Sequence, residues 1–466
     1  MIGRREIAFI SALFIVGIVA VLIGLSFRQI VSLVIFSAII AGALSYWRYR
    51  LSFALLGVSI LLIFGLLDIE TLIKFAKIDI ILFLIGMMTI VGFLEESHFF
   101  EHIVYNIIKR VGGNASVLYT VLLGMAAVFS ALVDEVTAIL FMVVITWEIT
   151  RVYNTNPLNL ILGVTFATII GGSATVVGDP VAIIVAFEGN LTMGDFLIWA
   201  TPITVLATLY IIGVTSIVFK DDLEDLQNSM LNLPVEKAIE HYSKLDISRL
   251  KLSWIVFLGT IGGIILHKQS ADLLSSLLNT YISSDTMLVA VALFYSGIVL
   301  ILEREGARDL IVHKVDWWTL IFFIAFFSSV GTLKVVGITD LIANAIVTVS
   351  GGEPSKIFLL TSSIVGILSP LMDNVLAVAA FSPVIHSITA MGIDTFPMWW
   401  GLLFGGVFMA LITPVGATAS IVVQGILERR KIGAIPMKHW IKIGILTGAV
   451  SYLMALTILY IRFYIL

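Results

Sequence analysis

Ser130-Ala-Leu-Val-Asp-Glu-Val136 lies in the middle of "VLYTVLLGMAAVFSALVDEVTAILFMVVITW", so Asp134 and Glu135 stand side by side with long, almost purely apolar runs on both flanks. A carboxylate in hydrocarbon costs about 2.5–3.5 kcal/mol even on the mildest insertion scales. The stretch 116–150 is also too long for one crossing, since a straight helix of that length would reach about 50 Å against a core of roughly 30 Å. Split at Ser130–Glu135, it gives two arms, each too short to span comfortably. The economical solution is a re-entrant helical hairpin whose tip ends near mid-membrane. Non-helical backbone survives there only when buried in protein or lining a wet cavity. An ordinary loop with its acids in water is the competing reading, and it needs a longer, more charged tip than this one.

The 466 residues are 59% hydrophobic and 12% charged, with mean hydropathy +1.10. Soluble domains are roughly a quarter charged and have no use for repeated apolar runs of spanning length, so the composition predicts an all-α polytopic membrane protein. There is no cysteine, which excludes disulfides and thiolate metal sites. Met1-Ile-Gly-Arg-Arg-Glu6 leads into an apolar run without a small-residue cleavage site and reads as a first transmembrane helix.

Apolar runs predict eleven spans near 7–27, 30–46, 51–67, 80–95, 157–187, 197–219, 252–267, 286–302, 317–333, 397–427 and 441–463, plus re-entrant stretches at 116–150 and 355–390. With the N-terminus in the cytoplasm and both hairpins returning to their own side, cytoplasmic segments hold 20 of the 27 Lys and Arg residues, the expected bias. The chain then divides into a peripheral first helix (1–28), a first repeat (29–219), a cytoplasmic linker (220–251) and a second repeat (252–466).

The repeat shows in ordered landmarks. Lys77-Ile-Asp79 pairs with Lys314-Val-Asp316, and each opens a span closing near a Val-Gly pair, Val91-Gly92 and Val330-Gly331. An amphipathic stretch follows in each half, "HFFEHIVYNII" and "ITDLIANAIV". Then Ser130-Ala-Leu-Val-Asp134-Glu135 pairs with Ser369-Pro-Leu-Met-Asp373-Asn374, and Thr175-Val-Val-Gly178 with Thr413-Pro-Val-Gly416. Five crossings separate Asp79 from Asp316, so the second copy is upside down. Inverted repeats meeting at the midplane are the architecture of many secondary transporters.

The long runs 157–188 and 397–427 are predicted to break mid-way. Gly171, Gly172, Gly178 and Pro180 interrupt the first, and Thr413-Pro414 with Gly416 the second. Asp179-Pro180 is also a good helix restart, so Asp179 reads equally as a cap or a ligand. Thr418 could cap the second restart. Thr175 and Thr413 either present hydroxyls to one substrate from two sides or back-bond within their own helices. His386 could relay protons, although a satisfied interior or interfacial histidine is the plainer reading.

The "GMM" after Asp79, the Leu-x-Asp-x-Val hairpin tips and the Gly172-Ser-Ala-Thr-Val-Val-Gly-Asp-Pro180 break resemble the arsenite-permease and sodium–proton antiporter branch of the ion transporter superfamily, which includes the pink-eyed-dilution permeases, with citrate and dicarboxylate carriers more distant. The resemblance covers about residues 50–430. It implies a scaffold part, a transport part of two hairpins and two broken helices that moves like an elevator, and a homodimer. It places the site at Ser130–Glu135, Ser173–Asp179, Ser369–Asn374 and Thr413–Ser420. The sequence departs from the pattern at Glu135, Ser173, Ala182 and Ser420, where amides are usual.

Two transport functions follow. One is cation/proton (Na⁺/H⁺) exchange in the cell membrane, with Na⁺ at Asp134, Asp179 and Asp373 and no lysine or arginine in either tip or break. The other is an anion carrier, for arsenite or a di- or tricarboxylate such as citrate, which uses helix N-termini for the anion and the acids for a coupling Na⁺ or H⁺. An intramembrane aspartyl protease from Asp134 and Asp373 lacks its Gly-x-Gly-Asp sequence and leaves the repeat unexplained. No enzyme activity and no cofactor beyond the coupling ion is expected.

Overall fold

A computed structural model describes residues 4–46, 49–99, 102, 113–133, 135–231 and 247–466. Asp134 and most of the "HFFEHIVYNII" stretch lie outside the described residues. The described residues are 83% helical, without strands. The principal helices are α1 (Arg4–Leu22), α2 (Phe27–Ser45), α3 (Arg50–Ile63), α4 (Ile78–Glu96), α5 (Ala115–Leu132), α6 (Glu135–Val152), α7 (Leu158–Gly172), α8 (Pro180–Gly189) and α9 (Thr201–Val218). The second part comprises α10 (Ile247–Ile265), α11 (Ser284–Glu303), α12 (Trp317–Val335), α13 (Ile338–Val349), α14 (Pro354–Leu368), α15 (Asn374–Ala390), α16 (Phe396–Ala410), α17 (Thr418–Arg429) and α18 (Val450–Tyr464).

Seven of the described helices are long and apolar enough to cross a membrane, or eight if the pair Arg249–Ile265 and His267–Leu278, bent by 70°, is one span. Eleven spans were expected, and two of the seven, Ala115–Leu132 and Pro354–Leu371, are arms of the stretches expected to be re-entrant, each longer than the short arm predicted. Part of the difference is physical: the runs at 157–188 and 397–427 each divide into two short helices, α7 with α8 and α16 with α17. The division falls where glycines and a proline remove backbone support.

Helices apolar on every side become the core. α4 and α12 are 67% and 72% buried over their spanning windows, whereas Ser284–Lys314 is 28% buried and turns Phe294 and Ile301 outward, as a lipid-facing helix does. Lys220–Met230, the start of the predicted linker, is a helix that buries Leu223, Leu226 and Met230 and packs on α5.

Helix contacts fall into matched sets. α5 packs on α7 as α14 packs on α16, and α3 packs on α12 as α11 packs on α4. Across the two halves α8 lies against α15, and α17 lies against α6.

Contacts at the segment ends join residues that the expected topology puts on the same one of two sides. On one, Gln227 bonds to Gly113 and Ala115, Arg430 stacks on Trp147, Lys314 pairs with Glu95, and Arg50 bonds to Thr319. On the other, Arg28 bonds to Gly65, Gln29 to Val336, Lys77 to Glu188, Arg462 to Ile198 and Tyr464 to Pro354. Every residue in the first set was expected on the cytoplasmic side, and every residue in the second outside.

Candidate functional site

Four helices end and four begin at one buried place. α5, α7, α16 and the 3-10 turn Ser369–Leu371 after α14 stop there, and α6, α8, α15 and α17 start there. Helix ends leave carbonyls without partners and helix starts leave N–H groups without partners, so such a point offers oxygen ligands to a cation and donors to an anion.

Each restart has its own device. Asp179 adopts extended backbone and its Oδ1 accepts from the Val181 N–H at 2.6 Å, with Pro180 at the first helical position. Asp373 makes the same side-chain cap at α15, without the proline, and its Oδ1 accepts from the Val375 N–H at 3.1 Å. At α17 the cap residue is Ala417, with no side-chain cap. Thr418, expected as that cap, donates to Asp373 Oδ2 at 2.8 Å, tying the second break to the second tip. The halves meet where Asn374 Nδ2 approaches Asp179 Oδ2 at 3.4 Å.

The paired threonines do not back-bond within their own helices. Thr175 Oγ1 donates to the Ala131 carbonyl, and Thr413 Oγ1 donates to the Pro370 carbonyl at 2.6 Å. Each therefore latches its break onto the neighbouring tip, because the tip's freed carbonyl needs a donor. The Asn374 N–H donates to the Gly416 carbonyl at 2.8 Å in the same seam.

Gly178 and Gly416 allow the closeness. A Cβ on Gly178 would sit 2.5 Å from the Gly172 carbonyl oxygen and 2.6 Å from that of Ser130, and one on Gly416 would strike the Ala410 carbonyl.

The serines divide. Ser173 donates to the Ile170 carbonyl and meets Thr204, both at 2.7 Å, so it braces the end of α7. Ser369 donates to the Gly406 carbonyl at 2.5 Å. Ser130 and Ser420 are fully buried, and their hydroxyls have no hydrogen-bond partner among the described residues. Glu135, 1% exposed, opens α6 five residues after Ser130. Among the described residues no group of three or more His, Cys, Asp or Glu gathers as a metal cage, so an ion here would draw on carbonyls and hydroxyls as well as carboxylates.

The sequence model of the family described as "Citrate transporter" matches residues 39–349 and 285–465. The chain belongs to the citrate-transporter family. This family member is 30% identical over 395 residues to an uncharacterized transporter of Mycobacterium bovis, covering 83% of this chain and 87% of that one. It is 28% identical over 393 residues to a 46 kDa membrane protein of Mycobacterium leprae, with the same coverage of 83% and 87%. The human P protein is 22% identical over 413 residues, covering 75% of this chain and 49% of that protein. The fold is similar to the Alcanivorax borkumensis YdaH transporter, with a TM-score of 0.55 at 15% identity, over 85% of this chain and 89% of that one. This citrate-family member is a multi-pass membrane transporter, with the lipid bilayer as its solvent and a small molecule as its cargo.

A second polar cluster went unassigned in the sequence reading. Glu188, buried at the end of α8, pairs with Lys77 at 2.6 Å and with His386 Nε2 at 2.7 Å. Of the three, only His386 was weighed for a functional role, and it is partnered rather than free. A lone acid closing a long apolar run was the available signal.

Proposed function

We propose that this transporter carries a small carboxylate anion of the citrate class, coupled to Na⁺ or H⁺, through the site formed by the two tips and two breaks. One observation carries the reading: Asp179 and Asp373 are both engaged as caps of helix starts, and one is also held by Asn374 and the other by Thr418. Carboxylates so engaged shape the site instead of standing open as bare cation ligands. The helix starts of α6 and α17 then face the solute, with Ser130 and Ser420 as its hydroxyl partners. Membership of the citrate-transporter family supports the same class of solute. Cation/proton exchange, the other reading, keeps one specific support in the buried Glu135.

We also infer that the chain is an inverted repeat with two re-entrant hairpins. The reciprocal packing of α8 on α15 and α17 on α6 supports this. Gly163 abuts Tyr119 while Gly401 abuts Phe358, equivalent positions in the two halves. On this reading both ends of α5–α6 lie on one side of the membrane and both ends of α14–α15 on the other, with their tips between. The positive-inside bias places the N-terminus in the cytoplasm of the cell membrane. A homodimer and elevator movement come from the resemblance.

The test is reconstitution in liposomes with an imposed Na⁺ or pH gradient, following labelled citrate, ²²Na⁺ and internal pH. Citrate uptake that needs the cation gradient supports the proposal. Sodium exchanged for protons with no movement of citrate overturns it in favour of the exchanger.

A further inference from the structure

On the face that holds Lys77 and Glu188, a cavity of about 230 Å³ opens between the starts and ends of several helices. One side is formed by the segment before α4 and by α12, with Lys77 and Lys334. The other is formed by α8 and α15, with Glu188, Ser382 and His386. The rest of its lining is apolar, including Phe75, Ile184 and Phe327.

Its charged groups are disposed for an anion. Glu188 is itself a carboxylate held by a lysine ammonium and an imidazole, so the cavity already accommodates an oxyanion group. Against this single lining carboxylate stand Lys77, Lys334 and His386. Lys334 pairs with Asp340, which is half exposed and outside the lining, and it also donates to Ser387 at 2.6 Å. Ion pairs that reach solvent hold weakly, so Lys334 is easily re-partnered. Ser382, 3% exposed, lines the same space with a hydroxyl that makes no hydrogen bond among the described residues. The volume falls below the roughly 300 Å³ where pockets for drug-sized ligands begin, which suits a small ligand.

We propose that this cavity is a second binding site, for a small multivalent oxyanion, separate from the tips and breaks. Lys77, Lys334 and His386 hold the anion and Ser382 donates to it, once Glu188 has swung away. Glu188 acts as a tethered competitor that fills the place of one carboxylate in the empty state. A monovalent anion would merely replace Glu188. An anion with two or more charges engages both lysines at once, and that is what repays breaking the Lys77–Glu188 pair.

The experiment uses purified full-length protein in detergent, titrated calorimetrically with citrate and, separately, with sulfate. Glu188→Gln removes the competing charge and is expected to tighten binding about tenfold, the equivalent of about 1.4 kcal/mol. Misfolding cannot produce that gain. The double variant Lys77→Gln/Lys334→Gln is expected to lose this binding, while Thr418→Ala at the central site keeps it. Trp399, whose ring lies 5.3 Å from that of His386, should report occupancy by fluorescence, and Trp399→Phe should remove the signal. The citrate and sulfate arms decide whether the anion is organic or inorganic. Unchanged or weaker binding in Glu188→Gln overturns the proposal, and so does binding that ignores both lysines and falls only with Thr418→Ala. Lysine-dependent binding without citrate uptake would leave this site standing and remove the proposed cargo.

Discussion

Gly178→Ala tests the tip-to-break seam most directly. The added Cβ would meet the Gly172 carbonyl oxygen at 2.5 Å, the Ser130 carbonyl oxygen at 2.6 Å and the Gly172 Cα at 2.8 Å. Ordinary contact begins at 3.4 Å, so the deficit at the nearest atom is about 0.9 Å. All three obstacles are backbone, and no side chain can rotate out of the way. The first break must therefore widen and move off the first tip. Overpacking of this kind costs about 1–3 kcal/mol. A displacement approaching 1 Å at a binding constellation lowers its rate by about 10²-fold. The expected result is a folded, membrane-inserted protein with a lower thermal midpoint and citrate uptake down by about one to two orders of magnitude. Gly416→Ala, whose Cβ strikes the Ala410 carbonyl in the equivalent place, should do the same. Gly213→Ala in α9 is the control, since nothing lies within 4 Å of its Cβ and a helix-interior alanine is favoured by about 0.5–1 kcal/mol. Uptake in proteoliposomes and thermal unfolding in detergent read both quantities. Wild-type rate and midpoint in Gly178→Ala would refute the close packing on which the site is built.

Other substitutions separate architecture from chemistry. Ser130→Ala and Ser420→Ala remove buried hydroxyls without protein partners, so unfolding midpoints should hold or rise while the KM for solute or coupling ion rises; a lower midpoint with unchanged KM would contradict a ligand role. Asp179→Ala loses a cap contributing about 0.5–2 kcal/mol, whereas Asp179→Asn retains the capping oxygen and should preserve most stability in thermal melts. Arg50→Met deprives Thr319 of a partner at 2.6 Å across α3 and α12, a change of about 1.5–3 kcal/mol for a hydrogen bond to a charged group, visible as a lower midpoint and increased proteolysis.

Membrane residence, helical class and the two helix breaks were legible because they are local. A run of apolar residues sets a span wherever it stands, and Gly178-Asp-Pro180 stops one helix and starts the next within a few residues. The same holds for Asp179 as a cap, one of the two readings its setting allowed. The charge bias also groups the segment ends so that the contacts found between them join residues expected on the same side. Partner choice was not legible. Thr175 and Thr413 look equally able to face solute or their own helix, and only the fold brings the carbonyls of Ala131 and Pro370 within reach. Asn374 approaches Asp179 across 195 positions, and His386 reaches Glu188 across 198. Such pairs depend on how helices pack, and packing is fixed by the shape of whole surfaces. Hydrophobicity and helix breakers act within a few residues and so are written in the sequence; the meeting of two buried polar groups depends on every helix between them, and the tertiary structure alone decided it.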